Sequence, residues 1–207
     1  KHGYATDAPV SGGCHRAATG NISIFAGCDR ATFERLLPLL SVMGRRVLHT
    51  GELGSASKLK VMTNYLATAN LVAVTEALAA CAKVGLDLGV AYEAIAASSG
   101  TSFVHETEGQ VILNGSRDIN FTMDLVKKDV GLFISMAAEA GMQLELADLV
   151  AGIFDDGIER YGPREWSPNI IRRLEDNYGI DVVAPGFPAE MVDTEPEELG
   201  GEIRVRR

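Results

Sequence analysis

Three short stretches of the chain carry side chains that could do chemistry. The first is DAPVSGG, Asp7 to Gly13, where Ser11 is followed by Gly12 and Gly13 at the end of an extended run. Consecutive small positions of this kind let backbone N–H groups approach a carboxylate closely, although an ordinary tight turn has the same composition. The second is GELGSASKLKVMTNYL, Gly51 to Leu66, in which Asn64 follows Lys60 by four residues. On a helix that spacing puts an ammonium and an amide on one face, about 5–6 Å apart at Cβ. They then face either a substrate or solvent. The third is FTMDLVKKD, Phe121 to Asp129, where Lys127 and Lys128 precede an aspartate on an amphipathic pattern whose default is a solvated face. His2, His15, His49 and His105 show no paired spacing with carboxylates and are expected at the surface as non-ligands, so no metal site is expected.

The elements that must position these groups divide into two characters. The first fifty residues read as α/β: an extended run into the Pro9 to Gly13 loop, a strand at Asn21 to Gly27, a helix capped by Asp29 and stopped at Gly44, and a strand RRVLHTG. From Ser57 the pattern turns helical throughout. The first helix runs to about Val84, with Gly85 placed as a C-terminal stop. Asp87 caps the next, a third covers about Ser102 to Leu113, and two amphipathic helices end at Gly141 and Gly162. A short last helix follows Pro168. From Ile180 onward, prolines and an acidic run (Glu195, Glu197, Glu198) read as a tail, poorly ordered alone or laid over a neighbouring subunit. The expected division is 1–50, 51–178 and an acidic tail 179–207, in a mainly α chain.

Composition narrows the function classes. The net charge is −9 and no Lys/Arg stripe runs through the body, which disfavours a nucleic-acid partner. The longest apolar region, Val61 to Val84, is interrupted by Asn64, Asn70, Glu76 and Lys83, so it reads as a helix buried in protein and not as a membrane span. Three cysteines without metal-like spacing suit a reduced, cytoplasmic setting.

Taken in order, DAPVSGG, GELGSASKLKVMTN and FTMDLVKKD resemble the signatures of the β-hydroxyacid dehydrogenase family, the group of 3-hydroxyisobutyrate dehydrogenase and, more distantly, 6-phosphogluconate dehydrogenase. The resemblance covers about Tyr4 to Glu175. It implies a C-terminal all-helical domain preceded by the last strands and helix of a Rossmann-like α/β domain. It further implies an NAD(P)-dependent oxidoreductase acting on a small β-hydroxyacid or the matching semialdehyde. A helix as long as Ser57 to Val84 leaves much apolar surface uncovered, so a homo-oligomer through the helical domain is expected. The family's G-x-x-G-x-G-x-x-x-K-x-x-x-N pattern falls on Gly51, Gly54, Lys60 and Asn64, with Ala56 in place of the third glycine. By resemblance, Lys60 is the catalytic acid/base, assisted by Asn64. Ser11, Gly12 and Gly13 bind the substrate together with Asn64, and Lys128 and Phe121 lie on the cofactor side.

Departures from that pattern are Arg16 where a glycine is usual, Asn21 where a threonine is usual and Cys28 at a common glycine. A guanidinium beside the substrate loop either selects a second anionic group or points outward to water. No G-x-G-x-x-G occurs in the 207 residues. The chain is therefore expected to bind NAD or NADP poorly and to be inactive by itself. A non-catalytic helical oligomerisation module, or a helical protein that binds a small acid without redox chemistry, are the alternatives the residues leave open.

Overall fold

The computed structural model describes residues 3–205, so His2 lies outside the described residues. The chain forms two compact units, one built from residues up to Thr63 together with those from Asp193 on, the other from Asn64 to Val192.

The first unit is a small sheet with helices. Strand β1 (Val10–Ser11) leads into a short helix α1 (Gly13–Thr19), then β2 (Ser23–Gly27), α2 (Arg30–Met43) and β3 (Arg46–Gly51). β1 pairs antiparallel with β2, and β2 pairs parallel with β3. The Asp29 side chain caps α2 by accepting from the Thr32 N–H. Ile24, Ala26, Phe33, Leu40 and Val47 pack between α2 and the sheet. The helix α1 has no apolar periodicity in sequence and buries none of its residues.

The second unit is helical, as expected. The long helix α3 (Ser55–Lys83) begins in the first unit and continues into the second. It is followed by α4 (Leu88–Ala96), α5 (Phe103–Asn114), α6 (Met123–Glu139) and α7 (Glu145–Tyr161), then a 3₁₀ turn (Ser167–Ile171) and α8 (Arg172–Tyr178). By length and composition α3 is apolar enough to cross a bilayer, but its Leu71, Val74, Leu78 and Ala79 are buried in the helical core with Ile112, Val126 and Phe154. His105, expected at the surface, is fully buried: its Nε2 meets the Tyr92 carbonyl at 2.9 Å and its ring lies on the Tyr92 ring.

The expected acidic tail is two different things. Residues 180–192 belong to the helical unit, where the Ala184 N–H donates to the Leu113 carbonyl and Val182 is fully buried. Residues from Asp193 return to the first unit and end in β4 (Gly201–Glu202), which pairs parallel with β3. The acidic side chains that suggest disorder when read alone are matched by arginines of the first unit: Glu195 by Arg16, Arg45 and Arg46, Glu198 by Arg45, and Glu202 by Arg30. Residues 51–63, expected with the helical part, group with the sheet instead, and the first turn of α3 is tied there through Thr50 and Asp7.

Glu108 on α5 stands apart electrostatically. The residue as a whole is only half-buried, but its Oε2 is shut off from water and has no hydrogen-bond partner among the described residues. Burial pushes its carboxyl up to about 8. An unfolded-chain glutamate loses its proton near pH ~4.3. Between those values the folded state keeps a proton that the unfolded state has released, so stability falls as pH rises through that window. Thermal melts of the 207-residue chain should show this loss, upwards of about 1 kcal/mol between pH ~5 and ~8, and Glu108→Gln should flatten it.

Candidate active site

The Asp7 carboxylate, three residues before β1, accepts the N–H of Gly54 at 2.8 Å and that of Ser57 at 2.7 Å. These are orphan donors of the first turn of a helix, and a carboxylate there is favoured by both hydrogen bonding and the helix dipole. Burial raises the Asp7 carboxyl, but the Gly54 and Ser57 N–H groups outweigh it and hold the carboxyl below its ordinary range. Gly27 makes room for this contact: a Cβ there would lie 2.2 Å from Asp7 Oδ1. The backbones of Asp7 and Gly27 also exchange hydrogen bonds, and Thr50 Oγ1 meets Ser55 Oγ at 2.7 Å.

This anchoring sets the phase of α3. Lys60 is half-buried, whereas Lys58, two positions earlier, is exposed. Two residues on a helix are about 200° apart, so only one of the two lysines can share the face of Asn64. In the same unit, Ser11 ends β1, and Gly12 and Gly13 both adopt positive φ (133° and 83°), a backbone open to glycine but strained for other residues. Arg16 does not project into water. Its Cδ lies 3.1 Å from where a Gly12 Cβ would be, and its guanidinium meets Glu195 Oε1 at 2.7 Å.

In the helical unit, Asn64 donates from Nδ2 to Asp129 Oδ2 at 2.6 Å, and the other carboxylate oxygen takes Lys128 Nζ at 2.9 Å. Asp129 is 7% exposed, so the amide is fixed by a nearly buried charge. The neighbouring residues dock α6 on α3: Tyr65 stacks on Phe133 with ring centroids 3.9 Å apart. The Lys128 side chain remains largely exposed. Phe121 is half-buried against the helical core, and its carbonyl accepts the Ser167 N–H at 2.8 Å. Sequence reasoning singled out Lys60, Asn64, Lys128 and Phe121 but missed Asp7, which caps the helix that carries Lys60, and Asp129, which binds Asn64 and Lys128. An aspartate one residue from Lys128 and another before a Pro/Gly loop carry no distinguishing signal until the helices are packed.

The NAD-binding region of NADP-dependent 3-hydroxyisobutyrate dehydrogenase, as a family model, matches residues 54–174. The chain belongs to the 3-hydroxyisobutyrate dehydrogenase-like β-hydroxyacid dehydrogenase family. Residues 1–51 match the NAD binding domain of 6-phosphogluconate dehydrogenase, so both matched regions are nicotinamide-dinucleotide modules and the family's cofactor is NAD or NADP. A 2-(hydroxymethyl)glutarate dehydrogenase of Eubacterium barkeri is 34% identical over 177 residues, covering 85% of this chain and 59% of that protein. An L-threonate dehydrogenase of Escherichia coli K12 is 32% identical over 149 residues, covering 72% of this chain and 49% of that one. The chain thus spans half to three-fifths of the length of these relatives. Among solved structures, a 3-hydroxyisobutyrate dehydrogenase from Salmonella typhimurium superposes with a TM-score of 0.74 at 29% identity, over 82% of this chain and 60% of that one. The Mycobacterium tuberculosis 3-hydroxyisobutyrate dehydrogenase with L-serine gives 0.71 at 27% identity with the same coverage.

Asp7→Ala should destabilise the N-terminal unit by about 1–2 kcal/mol, the loss of a helix cap. Gly27→Ala should reproduce part of that loss by pushing the carboxylate off its donors. In urea unfolding the double variant should fall short of the sum of the two single effects.

Proposed function

We propose that the chain is part of an NAD(P)-dependent oxidoreductase that oxidises a small β-hydroxyacid, or reduces the matching semialdehyde, with Lys60 as the acid/base. The observation that carries this reading is the arrangement on α3: a half-buried Lys60 one turn before an Asn64 whose amide is held by the nearly buried Asp129. An isolated exposed helix start would need no such support.

The roles follow from the chemistry each group can do. Ser11 and the N–H groups of Gly12 and Gly13 hold the substrate carboxylate. Lys60 in its neutral form takes the proton from the substrate hydroxyl as the carbon loses hydride, and in the reverse direction the ammonium returns it. Asn64 hydrogen-bonds substrate or lysine without adding charge, and Asp129 keeps its amide from rotating. A bound nicotinamide ring supplies the hydride acceptor. Lys128 suits the cofactor side, because most of its side chain is exposed and its ammonium can meet a second anionic group while it stays paired with Asp129. Phe121 contributes an apolar wall there. The pyrophosphate cradle of a G-x-G-x-x-G turn is not among the 207 residues, so this chain alone binds the dinucleotide poorly and is inactive without that part. The 1–50 segment is read as the end of a nucleotide-binding domain, and the helical part carries substrate contacts and assembly. A cytoplasmic setting fits this chemistry.

Assembly is read from α3. Leu59, Met62 and Leu66 are 38%, 46% and 58% exposed on a helix that otherwise supplies core residues. Runs of exposed apolar side chains mark interfaces, so the chain should form a homo-oligomer through its helices. Light scattering at micromolar concentration should report more than one copy, and a clean monomer would sink this part of the reading.

The decisive test joins the chain to the family's upstream nucleotide-binding half. Lys60→Ala should then lower turnover by on the order of 10²–10⁴ while cofactor affinity stays near wild type. Lys58→Ala should remain within a few-fold. The reverse pattern would reassign the lysine, and two active variants would leave the chain as an assembly module.

A further inference from the structure

The segment from Asp193 to Glu202 has no place in the chemistry above, and residues beyond 174 lie outside both matched family models. It is nevertheless tied to the N-terminal unit by a dense set of polar contacts. Asp193 Oδ2 accepts from Thr19 Oγ1 and, at 2.7 Å, from Asn21 Nδ2, while the same amide reaches the Glu195 carbonyl at 3.0 Å. Asn21 is fully buried, so these carbonyl and carboxylate oxygens are what satisfies its amide. Glu195 takes three guanidiniums: Arg16 at 2.7 Å, Arg46 at 2.9 Å and Arg45 at 3.6 Å. Arg45 also reaches the Pro196 carbonyl and Glu198. The backbone joins in, with Gly201 N donating to the Arg45 carbonyl at 3.1 Å and Ile203 N to the Val47 carbonyl at 2.8 Å.

What is missing from this attachment is apolar burial. Among the described residues none after Asp193 belongs to the core of the unit, and Leu199 is 79% exposed. Helix α1 is in the same position. It has seven residues, buries none of them and lacks a side-chain cap, and isolated helices shorter than about 12–15 residues are marginal in water. Two of its side chains, Arg16 and Thr19, are bound by the returning segment. The stem of Arg16 also lies against Gly12 of the substrate loop. Arg16 and Asn21 are two of the positions at which the chain departs from the family pattern, and both are bound by this segment.

The geometry points to an ionic clasp: residues 193–202 hold α1 in place, and through Arg16 they hold the Ser11-Gly12-Gly13 loop, with Asp193 and Glu195 as positioning residues for substrate binding. The inference rests on the reading of that loop as the carboxylate site. The charges suit the task at neutral pH. Burial raises the Asp193 carboxyl, but hydrogen bonds from Thr19 and Asn21 and the nearby Arg16 bring it down to about 2. Hydrogen bonding from Arg46, against the effect of burial, holds Glu195 below its ordinary range. A clasp made of partly exposed ion pairs is weakened by salt, unlike one made of buried apolar groups.

Amide hydrogen exchange on the full chain tests this. Glu195→Gln should speed exchange of the α1 amides by about tenfold while the core amides of α3 keep their protection. Gly200→Ala offers a second release that leaves every charge in place, because its Cβ would lie 1.9 Å from the Gly44 carbonyl oxygen. Glu198→Gln, which removes only an outer contact, should leave α1 within about twofold of wild type. If both releasing variants fail to fold, the wild-type chain decides: raising salt from about 0.02 M to about 1 M should itself speed α1 exchange several-fold. In the joined enzyme used for Lys60, Glu195→Gln should raise KM by about tenfold with kcat nearly unchanged, the mark of a lost binding geometry. Unchanged α1 exchange on clasp release, in the variants or in salt, would overturn the clasp. Faster α1 exchange with an unmoved KM would overturn its role at the substrate loop. A joined enzyme with no turnover even as wild type would refute the functional reading, and with it the role at the loop, while the exchange data still decide the clasp.

Discussion

A carboxylate at a helix N-terminus is the constraint on which the proposed chemistry depends. Asp7 sits just ahead of the loop that would hold the substrate and binds the first amides of the helix that carries Lys60. A helix is stiff along its axis and regular around it, so fixing its first turn fixes the direction of every side chain in the next two. The proposed substrate loop and the proposed acid/base group are therefore referred to one anchor within one unit. Gly27, by lacking a Cβ, is the steric condition for that anchor.

The helical unit supplies the complementary support. Asn64 would be a poor positioning group if its amide could turn freely, and Asp129 removes that freedom from a neighbouring helix held by the Tyr65–Phe133 stack. A nearly buried carboxylate needs compensation, and it has two partners, an amide and the Lys128 ammonium. The arrangement leaves Lys128 with most of its side chain in water, open to a second anionic group.

Electrostatics also accounts for the end of the chain. A short acidic segment with little apolar content would stay disordered if nothing opposite it carried positive charge. Here Arg16, Arg30, Arg45 and Arg46 face it from the N-terminal unit, and the sheet edge at β3 offers unpaired backbone groups that β4 satisfies. Arg16, which beside a substrate loop reads as a selector for a second anionic group, is instead engaged by Glu195.

Much of this molecule is legible in its sequence because the signals are local. The 3.6-residue periodicity of the helices, the Asp29 and Asp87 caps and the glycine stops mark elements from residues near one another, and the structure has those elements. The four-residue spacing of Lys60 to Asn64 is local in the same way, and in the structure Lys60 is half-buried and Lys58 exposed. What the sequence leaves open is every pairing between distant residues. The carboxylates Asp7 and Asp129 have no periodicity to announce them, and helix α1 has none either. The burial of His105 depends on Tyr92, thirteen residues away on another helix. The acidic segment shows the reason most clearly. Its composition by itself predicts disorder, and only the folded N-terminal unit gathers arginines from four positions onto one edge, turning charges that would repel one another into the contacts that order the segment.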